Sequence, residues 1–278
     1  MVVAGGRGAG IRILGRRRAT RLEEYTEALA ASVRSSPAVA GLVLLGSAAA
    51  EARRDEWSDH DFFVVAHPGR EAEVRDVAAW LPHPERAVLV AREGSIGFAV
   101  LYEDGHLFEF AAASPRELEG ALATSDAAIL FDDGTTEAVL EASRARAAAL
   151  PASDAADEAG LALLKILVGV GRARRGERLS AGQFVHAWAV GHLVRAIRAR
   201  RPVVEPHGDA IDPVRRFERD YPGLATRLAE VLDRPLEEAA RGLYTLLRDE
   251  LELGWDGFPS RAADAVAHRL GWDTAPFA

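Results

Sequence analysis

Gly46-Ser47 and, twelve residues after Ser47, the triplet Asp59-His60-Asp61 are the residues whose types and spacing could do chemistry. Side chains alternate along a strand, so Asp59 and Asp61 project side by side while His60 points away. Two carboxylates held that close repel each other unless a cation sits between them. Oxygen-only donors on a rigid strand suit magnesium, which also takes phosphate oxygens and water. The small Gly46-Ser47 corner lets backbone N–H groups approach a polyphosphate, with the Ser47 hydroxyl as an added donor. A third carboxylate is expected from a neighbouring strand, and Glu109 is the candidate. Phe108 and Phe110 flank it and take the opposite face, which leaves Glu109 beside Leu107 and Ala111. A charge among such neighbours is unusual in a strand unless it is paired or bound to metal.

These residues need strands under them, and the pattern supplies them. Leu22, Tyr25, Leu29 and Val33 recur at helical spacing over 21–35. An apolar run from Val39 to Leu45 ends at Gly46-Ser47 and reads as a buried strand, and 59–65 reads as a second. Residues 70–80 read as a helix that turns Val74, Val77 and Trp80 to one side. Strands are expected at 87–91, 96–102 and 106–112, the last two joined across Glu103-Asp104-Gly105, a hairpin signal that explains Asp104 as a turn residue. Ser114, Pro115 and Glu117 form a capping box that opens a helix. Beyond Pro151 the signal is helical: 158–175, a helix capped by Ser180 and Gln183 and running to about 200, a short helix after Asp212-Pro213, then 223–232, 235–252 and 260–269.

The expected class is therefore α+β: a mixed sheet with flanking helices over 20–150, then an all-α bundle over 151–278. Residues 1–19, rich in Gly and Arg, read as a flexible leader, and GGRGAG at 5–10 lacks the spacing of a dinucleotide fingerprint. The 278 residues are 49% hydrophobic and 27% charged, ordinary globular proportions. With no cysteine there is no disulfide framework and no thiolate metal site. No long uncharged apolar run suggests a membrane span, and the N-terminal arginines follow the apolar stretch, the wrong order for a secretory signal, so a cytoplasmic protein is expected. The net charge of −8 weighs against nucleic acid as a partner and suits a small, even cationic, substrate. Lys165 is the one lysine among 34 basic residues, so a flexible point charge there invites a functional reading.

The pattern resembles the polymerase β nucleotidyltransferase superfamily: Gly-Ser, then Asp-x-Asp after a dozen residues, then a carboxylate on a later strand. The stretch 41–65, with 96–112 and the two-domain layout, looks most like the antibiotic adenylyltransferases that act on streptomycin, other aminoglycosides and lincosamides. That resemblance implies an enzyme in which Asp59 and Asp61 hold magnesium ions bound to a nucleoside triphosphate, ATP by default. It implies that Gly46 and Ser47 cradle the β/γ phosphates, and that Lys165 reaches the triphosphate from the helical domain. Glu109 would complete the metal site or act as general base on the acceptor hydroxyl, and its longer arm departs from the Asp of many members. The partner expected is a small-molecule acceptor, with antibiotic resistance as one role and a homodimer as one assembly. Two other functions fit the same motif: nucleotidylation of a protein, as in toxin–antitoxin systems, and a non-catalytic nucleotide-binding regulator. Arg261 and His268, with six residues between them, are reminiscent of a toxin ribonuclease motif, but Ala262 stands where that motif prefers a polar group. Trp57 reads as a loop anchor, His186 and His192 as structural, and Arg215 and Arg216 as solvent-facing.

Overall fold

A computed structural model describes residues 9–50, 52, 54–120, 126–208 and 212–272. They divide into two compact units, Met1–Leu150 and Pro151–Ala278. The class is α+β, a mixed sheet followed by helices.

The first unit opens with helix α1 (Ala9–Ser35), whose backbone starts inside the stretch expected to be a leader. Strands β1 (Val39–Leu45) and β2 (His60–Ala66) flank a single helical turn, α2 (Gly46–Ala49). The helix expected over 70–80 is broken: α3 (Glu71–Val74) is one turn, and a 3₁₀ turn comes after it at Val77–Ala79. Val74, Val77 and Trp80 are nevertheless all buried, so the apolar face is real while the regular helix is not. Next come β3 (Ala87–Glu93), β4 (Gly97–Tyr102) and β5 (Leu107–Ala113). The capping box after β5 is present, with Glu117 accepting from Ser114 N at 2.9 Å, but it opens only a 3₁₀ turn at Glu117–Gly120. Strand β6 (Ala127–Asp132) and helix α4 (Thr136–Ala148) complete the unit.

The six strands lie in the order β3-β4-β5-β2-β1-β6. Among the described strand pairs, only β2–β5 is parallel. One face of the sheet presents Phe62, Val64, Phe98, Val100, Phe108 and Phe110, and Tyr25, Leu29 and Val33 of α1 pack on it. Burying side chains of that size stabilises by roughly 1.5–3 kcal/mol each. The opposite face is covered over β1 by α4, whose Leu140 meets Val43. Gly41 permits that approach, because a Cβ there would lie 1.8 Å from Thr136 Oγ1 at the start of α4. Over β5, β4 and β3 this second face is more open, with Leu101 and Leu107 half-buried and Glu109 and Leu89 exposed.

In the second unit, α5 (Ala155–Arg174) is capped by Asp154, which accepts from the N–H groups of Ala156 and Asp157. The chain then runs as α6 (Arg178–Gly182), a π-helical stretch (Gln183–Ala189) and α7 (Val190–Arg200). Ser180 therefore lies inside α6 and is not the expected N-cap; its hydroxyl accepts from Arg172. Short α8 (Phe217–Asp220), α9 (Pro222–Leu232), α10 (Leu236–Leu251) and α11 (Ser260–Leu270) complete it. Ile166, Val170, Leu193, Ile197, Leu243 and Leu247 form the centre of its core. No helix among the described residues is long and apolar enough to cross a membrane.

Candidate metal centre

Register assembles the acidic group. Leu45, the last residue of β1, lies opposite Asp61, and Asp61 lies opposite Glu109 in the parallel β2–β5 pair. Opposed residues share a face, so the period of two that sends His60 and Phe62 to the α1 side sends Asp61 and Glu109 to the other. Asp59, one residue ahead of β2, joins them. One carboxylate oxygen from each of Asp59, Asp61 and Glu109 lies within 4.8 Å of the other two. The two aspartates are half-buried and the glutamate is exposed.

The donor set fits a hard cation. Magnesium holds oxygens at 2.0–2.1 Å, so two oxygens on one ion are at most about 4.2 Å apart. Oxygens up to 4.8 Å apart need only a small closing movement, or a second ion, to share such a cation.

Gly46 occupies φ +55°, and a Cβ there would stand 3.1 Å from Asp61 Oδ2. Both facts demand glycine: the left-handed backbone disfavours other residues, and the carboxylate occupies the space. The Gly46 N–H donates to Asp126 O at 3.0 Å, so the corner's remaining backbone donors begin at Ser47. The first N–H groups of a helical turn have no acceptor within it. Arg54 closes the far end of this turn, donating to Ala48 O at 2.8 Å, while its Nε is buried with no partner among the described residues. Only the buried placement marks Arg54; nothing in the sequence around it singles it out.

Behind the acids lies a hydrogen-bond chain that sequence reasoning also missed. His60 is fully buried; its Nε2 is 2.8 Å from Thr26 Oγ1 and its Nδ1 is 2.7 Å from His106 Nε2. The Thr26 hydroxyl donates to Leu22 O at 2.8 Å, so it must accept from His60 Nε2–H. His60 Nδ1 then accepts from His106 Nε2–H, and every bond runs in one direction. Burial holds both imidazoles neutral, pushing His60 down to about 3 and His106 down to about 4. His106 stacks on Tyr25, and its backbone N–H donates to Asp104. Asp104 does more than turn the hairpin: it also pairs with Arg21 and Arg86. Helix α1 is thereby tied to the base of both acid-bearing strands.

The remaining candidates lie elsewhere. Lys165 is on α5, in the helical unit, with Nζ 5.8 Å and 5.6 Å from the ring centroids of Phe184 and Trp188. Trp57 is 80% exposed, which overturns its reading as a loop anchor. Its neighbours Asp55 and Ser58 hold the turn through hydrogen bonds of their own. His192 contacts Glu158 at 2.7 Å, a structural pairing, whereas His186 is exposed. Arg261 and His268 both lie on α11 and are exposed.

No protein-family model matches the chain, and no curated protein matches it. Among solved structures, the crystal structure of an aminoglycoside 6-adenyltransferase from Bacillus subtilis is similar to it at 14% identity and a TM-score of 0.28. That likeness covers 91% of this chain and 93% of the other. At such a score it carries no weight for fold or chemistry.

Proposed function

We propose that the chain is a magnesium-dependent nucleotidyltransferase that moves a nucleoside monophosphate, AMP by default, from a triphosphate to the hydroxyl of a small molecule. The observation that carries this reading is the convergence of Asp59, Asp61 and Glu109 within 4.8 Å, on a strand pair that begins beside a glycine corner. Asp59 and Asp61 would hold the cation, and Glu109 would complete its ligand set or take the acceptor's proton. Magnesium, when bound, supplies charge neutralisation on the phosphate oxygens. Ser47, through its hydroxyl and backbone N–H, would hold the β and γ phosphates, with Gly46 giving the backbone its close approach. Lys165 is the further candidate for a cation on the triphosphate.

The reaction asks the protein mainly for positioning and charge. The acceptor oxygen forms a bond to the α-phosphorus, its proton passes to Glu109, and the bond to the β-phosphate oxygen breaks. Pyrophosphate leaves with that electron pair.

The test is pyrophosphate release with magnesium, each of the four nucleoside triphosphates and a panel of aminoglycosides and lincosamides. Acceptor-dependent release, abolished in Asp59→Ala/Asp61→Ala, is expected. Release that persists in the double variant would remove the acids from the chemistry. Modification of a protein, or nucleotide binding without turnover, would be the outcome if small acceptors fail while magnesium-dependent binding remains.

A further inference from the structure

The face of the sheet that carries the acids also orders what lies to either side of them. At one level across the strands the register runs Leu45, Asp61, Glu109, Ala99, Ala91. The glycine corner is at one end of this row and a floor of two alanines is at the other. In-line displacement puts the attacking and leaving oxygens on opposite sides of phosphorus. With the phosphates toward Gly46 and Ser47, the attacking hydroxyl comes from the β4 side, and Glu109 stands between.

Taking the nucleotidyltransferase reading as its basis, we infer that the acceptor lies over Ala99 and Ala91. It is recognised there through an apolar ring face beside its reacting hydroxyl, and not as a polycation. Strands are about 4.8 Å apart, so the floor from β5 to β3 is about 10 Å across, the span of one or two rings. Its margin is a second row, Leu107, Leu101 and Leu89. Leu89 is 54% exposed, on the face opposite the one that buries Phe98 and Val100. Covering that row and the alanines would remove apolar surface from water, the general source of affinity for a ring face.

The local placement of charge argues in the same direction and outweighs the net charge of −8, which suits a cationic substrate. Ammonium groups are bound by carboxylates or by aromatic faces. On the acid-bearing side of β3, β4 and β5 the carboxylates are Glu109 and, at the far corner, Glu93 opposite Gly97. The rings of Phe98, Phe108 and Phe110 are turned into the core beneath. A polyamine acceptor would find Glu109 engaged by the reaction, a second carboxylate, Glu93, only at the far corner, and a floor of methyl groups between them.

Two variants test this: Ala99→Phe, which fills the floor, and Ala91→Phe at its exposed rim, which guards against misfolding of the first. Pyrophosphate release is measured with lincosamides, which carry one amine and an apolar ring flank, and with polycationic aminoglycosides. Methyl NMR of the full chain, with alanine and leucine labelled, reads binding of the same compounds independently of turnover. The expected result is use of lincosamides, methyl shifts at Ala99 and Leu101, and an acceptor KM raised at least tenfold in either variant. Magnesium-dependent nucleotide binding should stay unchanged in both. Turnover of aminoglycosides alone, an unchanged acceptor KM, or no methyl response to any compound would overturn the inference. Loss of nucleotide binding by the wild type would instead overturn the reading on which it rests.

Discussion

The two units bury polar groups by opposite means. In the sheet unit the most telling buried polar groups are two imidazoles, His60 and His106, both neutral and satisfied by one another and by Thr26. In the helical unit the buried group is charged. The Asp220 side chain has no exposure, and it accepts from Arg198 and from the backbone and ring nitrogens of His207. Burial alone would push that carboxyl up, but these donors win and hold it down at about 2. The difference teaches where each unit can tolerate charge. The sheet unit places uncharged imidazoles on the far side of the strands from a face that gathers three carboxylates, so that any cation is drawn to that face. The helical unit, whose described acids gather no such cluster, uses charge to pin α7 to the segment around α8.

This contrast can be broken most forcefully in the helical unit. Arg198→Ala leaves Asp220 buried without its cation, and removing one partner of such a pair costs about 3–5 kcal/mol. Hydrogen exchange of α7 and α8 peptides should show that loss, while peptides from β2 and β5 keep their protection. The corresponding change in the sheet unit, His106→Ala, orphans His60 Nδ1 without stranding a charge. A buried unsatisfied acceptor costs about 1–3 kcal/mol, so β2 and α1 should lose less protection than α7 does in the first variant.

Acid should separate the units next. His106 has a folded pKa of about 4, below its unfolded value of 6.5, so the unfolded state binds more protons between those limits. Its contribution is complete above pH 6.5 and falls as pH drops toward 4, by up to about 1.4 kcal/mol per pH unit. Asp220 has its folded pKa depressed from 3.8 to about 2, so the stability it provides is present above pH 3.8 and is lost as pH falls through 2. Hydrogen exchange between pH 7 and 4.5 should therefore show the sheet unit weakening first. The smallest effect belongs to Lys165→Ala. Loss of its contacts with Phe184 and Trp188 should cost about 0.5–1 kcal/mol of local stability. Triphosphate affinity should fall as well, and normal affinity would leave Lys165 a packing residue only.

Most of the acidic site is legible in the sequence because it depends on local periodicity. A period of two places Asp59 and Asp61 together and turns Phe108 and Phe110 away from Glu109, and no tertiary information is needed. That β5 lies beside β2, parallel and with Asp61 opposite Glu109, is a non-local fact that the motif only suggests. His60 points away from the acids as its parity requires, but its partner is 46 residues distant and nothing local announces it. Strand β6 escapes sequence reading because its short apolar run fits helix and strand equally. The helix over 70–80 fails for the opposite reason: its apolar spacing is helical, yet burial of Val74 and Trp80 is satisfied by two separate turns. Ser180 and Gln183 match a capping pattern but lie within a longer helical run, where local bonding to Arg172 replaces the cap.

Calorimetric titration of the wild type and of Asp59→Asn/Asp61→Asn with each nucleoside triphosphate, with magnesium and after chelation, tests the central claim most directly. The wild type should bind at least one nucleotide far more tightly with magnesium than without, and the double variant should lose this dependence. Equal magnesium dependence in the two proteins would contradict it, because the cation would then be held by something other than these acids.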